Sequence, residues 1–187
     1  FVARWLPWLG DALHLVFSIA AMVWSLGVLL APQTFGLPIV LFIAPLAVFF
    51  IARLLLSPLP YSRRVPCPRA DMAGAALAGM ALSHSIARGV IAGLVHRQAV
   101  FEVTRKGNSD DNKARPSDKK TNPFASVAEE TALLCGLLAC IAALISFRPP
   151  DAGIALAGWI LALTLQALPY AAAVACAWLS CRTTPSS

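Results

Sequence analysis

Long stretches of apolar residues are the feature that most limits what this chain can fold into. Four of them cover residues 12–31, 37–57, 126–147 and 152–179. An α-helix rises about 1.5 Å per residue, so about 20 apolar residues cross a hydrocarbon core of roughly 30 Å. The chain is 58% hydrophobic and 13% charged, whereas soluble domains carry about 25% charged residues. The sequence therefore predicts an all-α, polytopic membrane protein with four transmembrane helices.

Prolines and polar residues divide the chain into three regions and a tail. The predicted regions are a first hairpin at 1–60, a central segment at 61–125, a second hairpin at 126–181 and a tail at 182–187. Proline-containing turns at 32–36 and 149–151 separate the two spans of each hairpin, because proline lacks the backbone N–H of a helix residue and so kinks or ends helices. Ser126 and Glu129 have the spacing of a capping box at the start of the second hairpin.

Residues 70–94 are apolar but carry Ser83, His84, Ser85 and Arg88 near their centre. An arginine at the middle of a bilayer costs about 2.5–3.5 kcal/mol on insertion scales. We therefore predict an amphipathic interfacial or partly re-entrant helix, with a spanning helix as the alternative. His84 and Arg88 are four residues apart and share one helix face. That face is a candidate contact for headgroups, phosphates or a water-filled channel, or else a simple polar stripe.

The basic residues predict the orientation of the chain. Of its 15 lysine and arginine residues, 11 lie between Tyr61 and Asn122: Arg63, Arg64, Arg69, Arg88, Arg97, Arg105, Lys106, Lys113, Arg115, Lys119 and Lys120. The positive-inside rule places residues 61–125 in the cytoplasm, and both chain ends with them. The net charge of +6 therefore comes mainly from segments predicted to lie outside the membrane spans, and no nucleic-acid partner is expected. The lipid bilayer is the expected partner.

No arrangement of residues typical of a catalytic centre or metal site is recognisable in the sequence. The five cysteines form no CxxC pair, and the three histidines lack the spacing of metal ligands. The predicted loop at 95–125 contains one unusual stretch, Phe101-Glu102-Val103-Thr104-Arg105-Lys106-Gly107. On an extended chain Thr104 and Lys106 point the same way and can bind a diphosphate together. The alternative is a basic loop that meets anionic lipid.

This stretch resembles the FxVTxK gating-loop motif of cellulose synthases and related processive glycosyltransferases of family 2. In that family two membrane helices, an amphipathic interfacial helix, the gating loop and two more helices follow the catalytic domain, which is the order predicted here. The segments Ala81-Leu82-Ser83-His84-Ser85-Ile86-Ala87-Arg88-Gly89 and Trp5-Leu6-Pro7-Trp8-Leu9-x-Asp11 are also similar to bacterial members.

The resemblance implies a role for the loop and for the helices. Thr104 and Lys106 would contact the diphosphate of a nucleotide sugar, expected to be UDP-glucose, and Phe101 and Val103 would seat the loop. The helices would line part of a channel for a growing β-glucan or related polysaccharide. The resemblance also implies the bacterial inner membrane, and Mg²⁺ or Mn²⁺ bound by a catalytic domain.

The chain departs from the family pattern where catalysis takes place. The catalytic aspartates of the DxD and TED motifs are absent, and in Phe1-Val2-Ala3-Arg4-Trp5 a phenylalanine stands where the QxxRW motif has glutamine. We expect a catalytic domain ahead of Phe1, and no sugar transfer by this segment alone. Two alternatives remain open. One is a non-catalytic membrane subunit or small transporter with His84 and Arg88 along its pathway, and the other is a lipid-binding membrane anchor.

Overall fold

The computed structural model describes residues 2–51, 68–95, 126–147 and 153–183. These residues form helices and contain no strand. The helices are α1 (Val2–Leu30), α2 (Ile39–Ile51), α3 (Arg69–Ala81), α4 (Ser83–Val95), α5 (Ala128–Phe147) and α6 (Gly153–Thr183). The prediction of an all-α fold is confirmed.

Within the described ranges, four helical stretches are long and apolar enough to cross a membrane. They are Trp8–Leu30, Ala70–Val95, Ala128–Phe147 and Gly153–Cys181. The chain is therefore a multi-pass membrane protein. Three of the four stretches match predicted spans, whereas Ala70–Val95 takes the place of the span predicted at 37–57. Ala70–Val95 is long and apolar enough to be included, but it is the least apolar and the least buried of the four. The span predicted at 37–57 appears as α2, which has 13 residues, and residues 52–57 lie outside the described residues.

Contacts between side chains show how the helices run relative to one another. His14 stacks on Phe49 and Phe17 meets Phe42, so α1 and α2 are antiparallel. His14 also approaches Tyr170, and Ser25 bonds to Trp159, which makes α1 and α6 antiparallel as well. α1 packs against α2, α4, α5 and α6, and α6 packs against α2, α3 and α5. The beginning of α1 and the second half of α6 therefore meet at one end of the bundle.

Trp159 lies at the centre of the apolar core. Its side chain is 0% exposed, and its indole Nε1 donates a hydrogen bond of 3.0 Å to the hydroxyl of Ser25 on α1. The ring meets Phe42 of α2 edge to face, with 4.9 Å between centroids. An aromatic ring buried in this way stabilises the core both through the apolar area that it buries and through contacts that depend on its orientation. Trp159 therefore joins α1, α2 and α6.

A compact turn connects α1 to α2, as the proline and glycine at 32–36 predict. The Trp24 indole donates to the carbonyl of Gly36 at 2.9 Å, and the Phe35 ring stands edge-on to Trp24. A Cβ at Gly27 would lie 3.1 Å from the Phe35 ring. Glycine at position 27 therefore gives the Phe35 ring room to fold back onto α1.

α3 and α4 form a nearly continuous helical rod. Leu82 joins them with φ −81° and ψ −11°, in the right-handed helical region. Its N–H bonds to the carbonyl of Ala78 at 3.1 Å, and its carbonyl accepts from Ile86 at 3.0 Å. α3 packs against α6 and α4 packs against α1, so the rod connects two helices of the bundle.

Replacing the buried tryptophan should destabilise the bundle far more than replacing an exposed one. Trp159→Ala should cost about 3–5 kcal/mol, because it opens a cavity in the core, and the melting temperature in detergent should fall. The matched control is Trp178→Ala on the same helix, where the side chain is 46% exposed. Equal losses in the two variants, measured by thermal unfolding of purified protein, would contradict the central position of Trp159.

Candidate functional site

Polar side chains converge where α1 and α5 begin and where the second half of α6 lies. We call this set the polar cluster, and its members are Asp11, His14, Ser83, His84, Arg88, Glu129, Glu130 and Tyr170. All except Arg88 and Glu129 are buried. Polar groups are costly to bury unless they find partners. So many of them in one place, among helices this apolar, mark the cluster as the candidate site.

One hydrogen bond in the cluster links α1 to α4. The hydroxyl of Ser83 donates to Oδ1 of Asp11 at 2.6 Å, and the two residues are 2% and 0% exposed. This distance lies within the range of hydroxyl–carboxylate hydrogen bonds. The bond joins residues 72 positions apart in the chain and so sets the position of α4 along α1.

The carboxylate of Glu129 links α4 to α5 through two side chains. Its Oε2 lies 3.1 Å from His84 Nε2, and its Oε1 accepts from Arg88 Nη1 at 2.8 Å. His84 and Arg88 thus share a helix face, as their spacing predicts, and that face meets one acidic group. The His84 side chain is 6% exposed, whereas those of Arg88 and Glu129 are 61% and 56% exposed. The site therefore has a buried side and an open side.

The histidine ring lies between this carboxylate and the aromatic core. The centroid of His84 is 6.1 Å from that of Tyr170, and Tyr170 is 5.7 Å from His14. Among the described residues, Nδ1 of His84 is buried without a hydrogen-bond partner. An unpaired buried nitrogen costs about 1–3 kcal/mol. The polar cluster therefore extends from the exposed pair Arg88–Glu129 to the buried rings of His84 and Tyr170.

A cavity of about 510 Å³ opens beside the polar cluster, between α4 and the start of α5. Its polar lining consists of His84, Ser85, Arg88, Ser126, Glu129 and Glu130. Glu129 and Glu130 belong to the first turn of α5, where the helix dipole favours negative charge. The described part of the lining combines one guanidinium with two carboxylates, so it can accept a ligand that carries both signs of charge.

The site residues proposed from the sequence are only partly described by the structure. His84 and Arg88 belong to the polar cluster. Phe101, Val103, Thr104 and Lys106 lie outside the described residues, and their assignment stays a prediction. Within the described ranges no three His, Cys, Asp or Glu side chains come together in a way that could hold a metal ion. The Mg²⁺ or Mn²⁺ expected from the resemblance has no site among these residues.

The Ser83–Asp11 bond should contribute measurably to stability. Ser83→Ala leaves a buried carboxylate without this donor, which should cost about 1–3 kcal/mol. Ser85→Ala is the matched control, since Ser85 lies two residues further along α4 and is exposed. Unfolding followed by tryptophan fluorescence in detergent compares the two. If Ser85→Ala destabilised the protein as much as Ser83→Ala, the bond would not have the importance given to it here.

In comparisons with known proteins, no family model matches the chain, and no curated protein or solved structure matches it.

Proposed function

We propose that this chain is the membrane portion of a processive glycosyltransferase of family 2. In this proposal the whole protein transfers sugar from a nucleotide sugar, expected to be UDP-glucose, to a growing polysaccharide and exports the product. The helices described above form part of the export path in the bacterial inner membrane. In this proposal residues 96–125, which follow α4 in the chain, form a cytoplasmic loop that closes over the nucleotide.

The contact that best supports this proposal is the one between Glu129 and α4. Glu129 lies in the first turn of α5, a helix of 20 residues, whose length of about 30 Å equals the hydrocarbon thickness. The start of α5 then lies at a membrane boundary. His84 and Arg88, bonded to Glu129, lie at the same boundary.

A position of His84 and Arg88 at the membrane boundary agrees with an interfacial role for the rod of α3 and α4. Ser83 and His84 are at the middle of Ala70–Val95, and a helix that spans a bilayer has its middle at the bilayer centre. A middle at the boundary instead favours a helix at the interface, where Arg88 avoids the cost of the hydrocarbon interior. The order of two helices, an interfacial helix, a loop and two helices is the order that the family resemblance implies.

The same contact supports a lid function for the loop. The loop follows α4 and precedes α5, and Glu129 links these two helices. A lid whose flanking helices are linked closes over a defined position. In the proposed mechanism, closure excludes water from the donor site. It also brings the ammonium of Lys106 and the hydroxyl of Thr104 to the diphosphate, where negative charge develops as the sugar leaves.

A small transporter is the second candidate, and buried acidic residues favour it. Asp11 is 0% and Glu130 is 4% exposed, although both belong to apolar helices long enough to span a membrane. Ionisable residues at such positions often mark ion pathways. The two candidates differ in an observable way, because only a synthase incorporates labelled sugar into polymer.

Substitutions in the loop should impair synthesis without impairing membrane insertion. In the native gene product, Lys106→Ala or Thr104→Ala should lower incorporation of labelled sugar by roughly 10²-fold, the usual effect of removing one donor to a developing charge. Lys113→Ala removes a positive charge from the same loop outside the motif and should leave incorporation near the wild-type level. Unchanged incorporation in both motif variants would refute the gating assignment.

The proposed orientation makes a separate prediction. Single cysteines introduced as Ser109→Cys and Asp118→Cys, after replacement of the five native cysteines, should react with a membrane-impermeant maleimide only in inverted vesicles. Thr34→Cys, in the exposed turn between α1 and α2, should react in intact cells. Reaction of positions 109 and 118 in intact cells would reverse the topology.

A further inference from the structure

Two cavities lie on opposite flanks of α4 and share one residue, Gly89. The first is the polar cavity described above, between α4 and the start of α5. The second is an apolar groove of about 770 Å³ between α4 and α1. Both volumes lie within the range of roughly 300–1,000 Å³ that is usual for small-molecule sites. A ligand that bridges them would have one polar and one apolar part.

The groove has the lining that a hydrocarbon chain requires. It is formed by Trp8 and Leu9 of α1 and by Ile86, Val90 and Leu94 of α4, with Gly89 and Gly93 between them. Trp8 is 50% and Leu94 is 74% exposed, so apolar surface is open to the surroundings. Tryptophan favours the boundary between headgroups and hydrocarbon, which is the level already inferred for Glu129.

The polar cavity has the chemistry of a zwitterionic binding site. The Arg88 guanidinium has five N–H donors, and its recorded contact with Glu129 uses Nη1. Its other donors suit the oxygens of a phosphate. Among the described residues that line the cavity, Glu129 and Glu130 bring two negative charges against the one positive charge of Arg88. A purely anionic ligand would meet this excess of negative charge, whereas a ligand with its own cation would offset it.

We propose that α1, α4 and α5 bind one phospholipid whose headgroup carries a phosphate and a primary amine, as in phosphatidylethanolamine. The phosphate contacts Arg88, and the ammonium donates to the carboxylate of Glu130 or Glu129. One acyl chain crosses α4 at Gly89 and lies in the apolar groove. This proposal concerns a bound lipid and does not depend on the synthase function, so each can fail without the other.

The lining of the cavity favours ethanolamine over choline. A primary ammonium has N–H donors that match carboxylate oxygens, whereas a quaternary ammonium has none and is usually bound by aromatic rings. No Phe, Tyr or Trp is among the described residues that line the polar cavity. Selectivity for the primary amine is therefore expected to come from Glu130, which is 4% exposed and held in the first turn of α5.

In this proposal the acyl chain passes from one cavity to the other over Gly89, which lines both. A Cβ placed at Gly89 meets no atom within 4 Å, so a larger side chain there fills open space and does not clash with the protein. It would block the path of an acyl chain over α4. Gly74 on α3 has equally open surroundings and lines neither cavity. Substitutions at these two glycines therefore form a matched pair.

Native mass spectrometry of the purified protein with dioctanoyl lipids tests the proposal. The wild-type protein should bind phosphatidylethanolamine about tenfold more tightly than phosphatidylcholine or phosphatidylglycerol, the ratio expected for one charged hydrogen bond. Gly89→Leu should weaken binding about tenfold, whereas Gly74→Leu should not change it. Arg88→Gln should weaken binding of all three lipids, and Glu130→Gln should remove the preference for phosphatidylethanolamine. Thermal unfolding of each variant checks that it is folded.

Three results would overturn the proposal. The first is equal affinity of the wild-type protein for the three lipids, or a preference for phosphatidylglycerol. The second is wild-type affinity in a folded Gly89→Leu or Arg88→Gln variant. The third is competition by water-soluble phosphoethanolamine at the concentration of the lipid itself, which would show a site for the headgroup alone and no role for the groove.

Discussion

The carboxylate of Glu129 is the constraint on which the arrangement of the functional site depends. It lies where a membrane helix begins, and both of its oxygens are engaged by side chains of α4, one by His84 and one by Arg88. An arginine in an apolar chain needs a counter-ion, and this contact supplies one. The position of α4 against α5 and of the polar cavity between them follow from it, and in the proposed function so does the depth of α4 in the membrane.

A second contact, made by the residue just before His84, also holds α4 in place. Ser83 bonds to Asp11 and His84 bonds to Glu129, so two consecutive residues link α4 to α1 and to α5. Further along the bundle, Trp159 bonds to Ser25. α1 therefore carries a polar contact near its start and another towards its end. Between them lies the cluster of buried apolar side chains around Trp159, and close packing of this kind helps to hold membrane bundles together.

The local features of the fold could be predicted from the sequence, but its long-range contacts could not. The apolar run at 126–147 matches α5, and the spacing of His84 and Arg88 correctly placed them on one face. The partner of that face was missed, because Glu129 lies 45 positions from His84 and its local context suggested only a helix cap. Likewise, nothing in the sequence around Asp11 indicates that its carboxylate accepts a hydrogen bond from Ser83. The useful signal was an acidic residue at the start of an apolar helix, together with a basic face elsewhere in the chain.

The central claim is that the middle of the rod formed by α3 and α4 lies at a membrane boundary, next to the start of α5. A spin label at position 85, on the exposed side of α4, reports its depth in liposomes through collisions with oxygen and with a water-soluble nickel complex. The account predicts strong collision with the nickel complex, typical of the headgroup region. A label that collides mainly with oxygen, as at the bilayer centre, would contradict it.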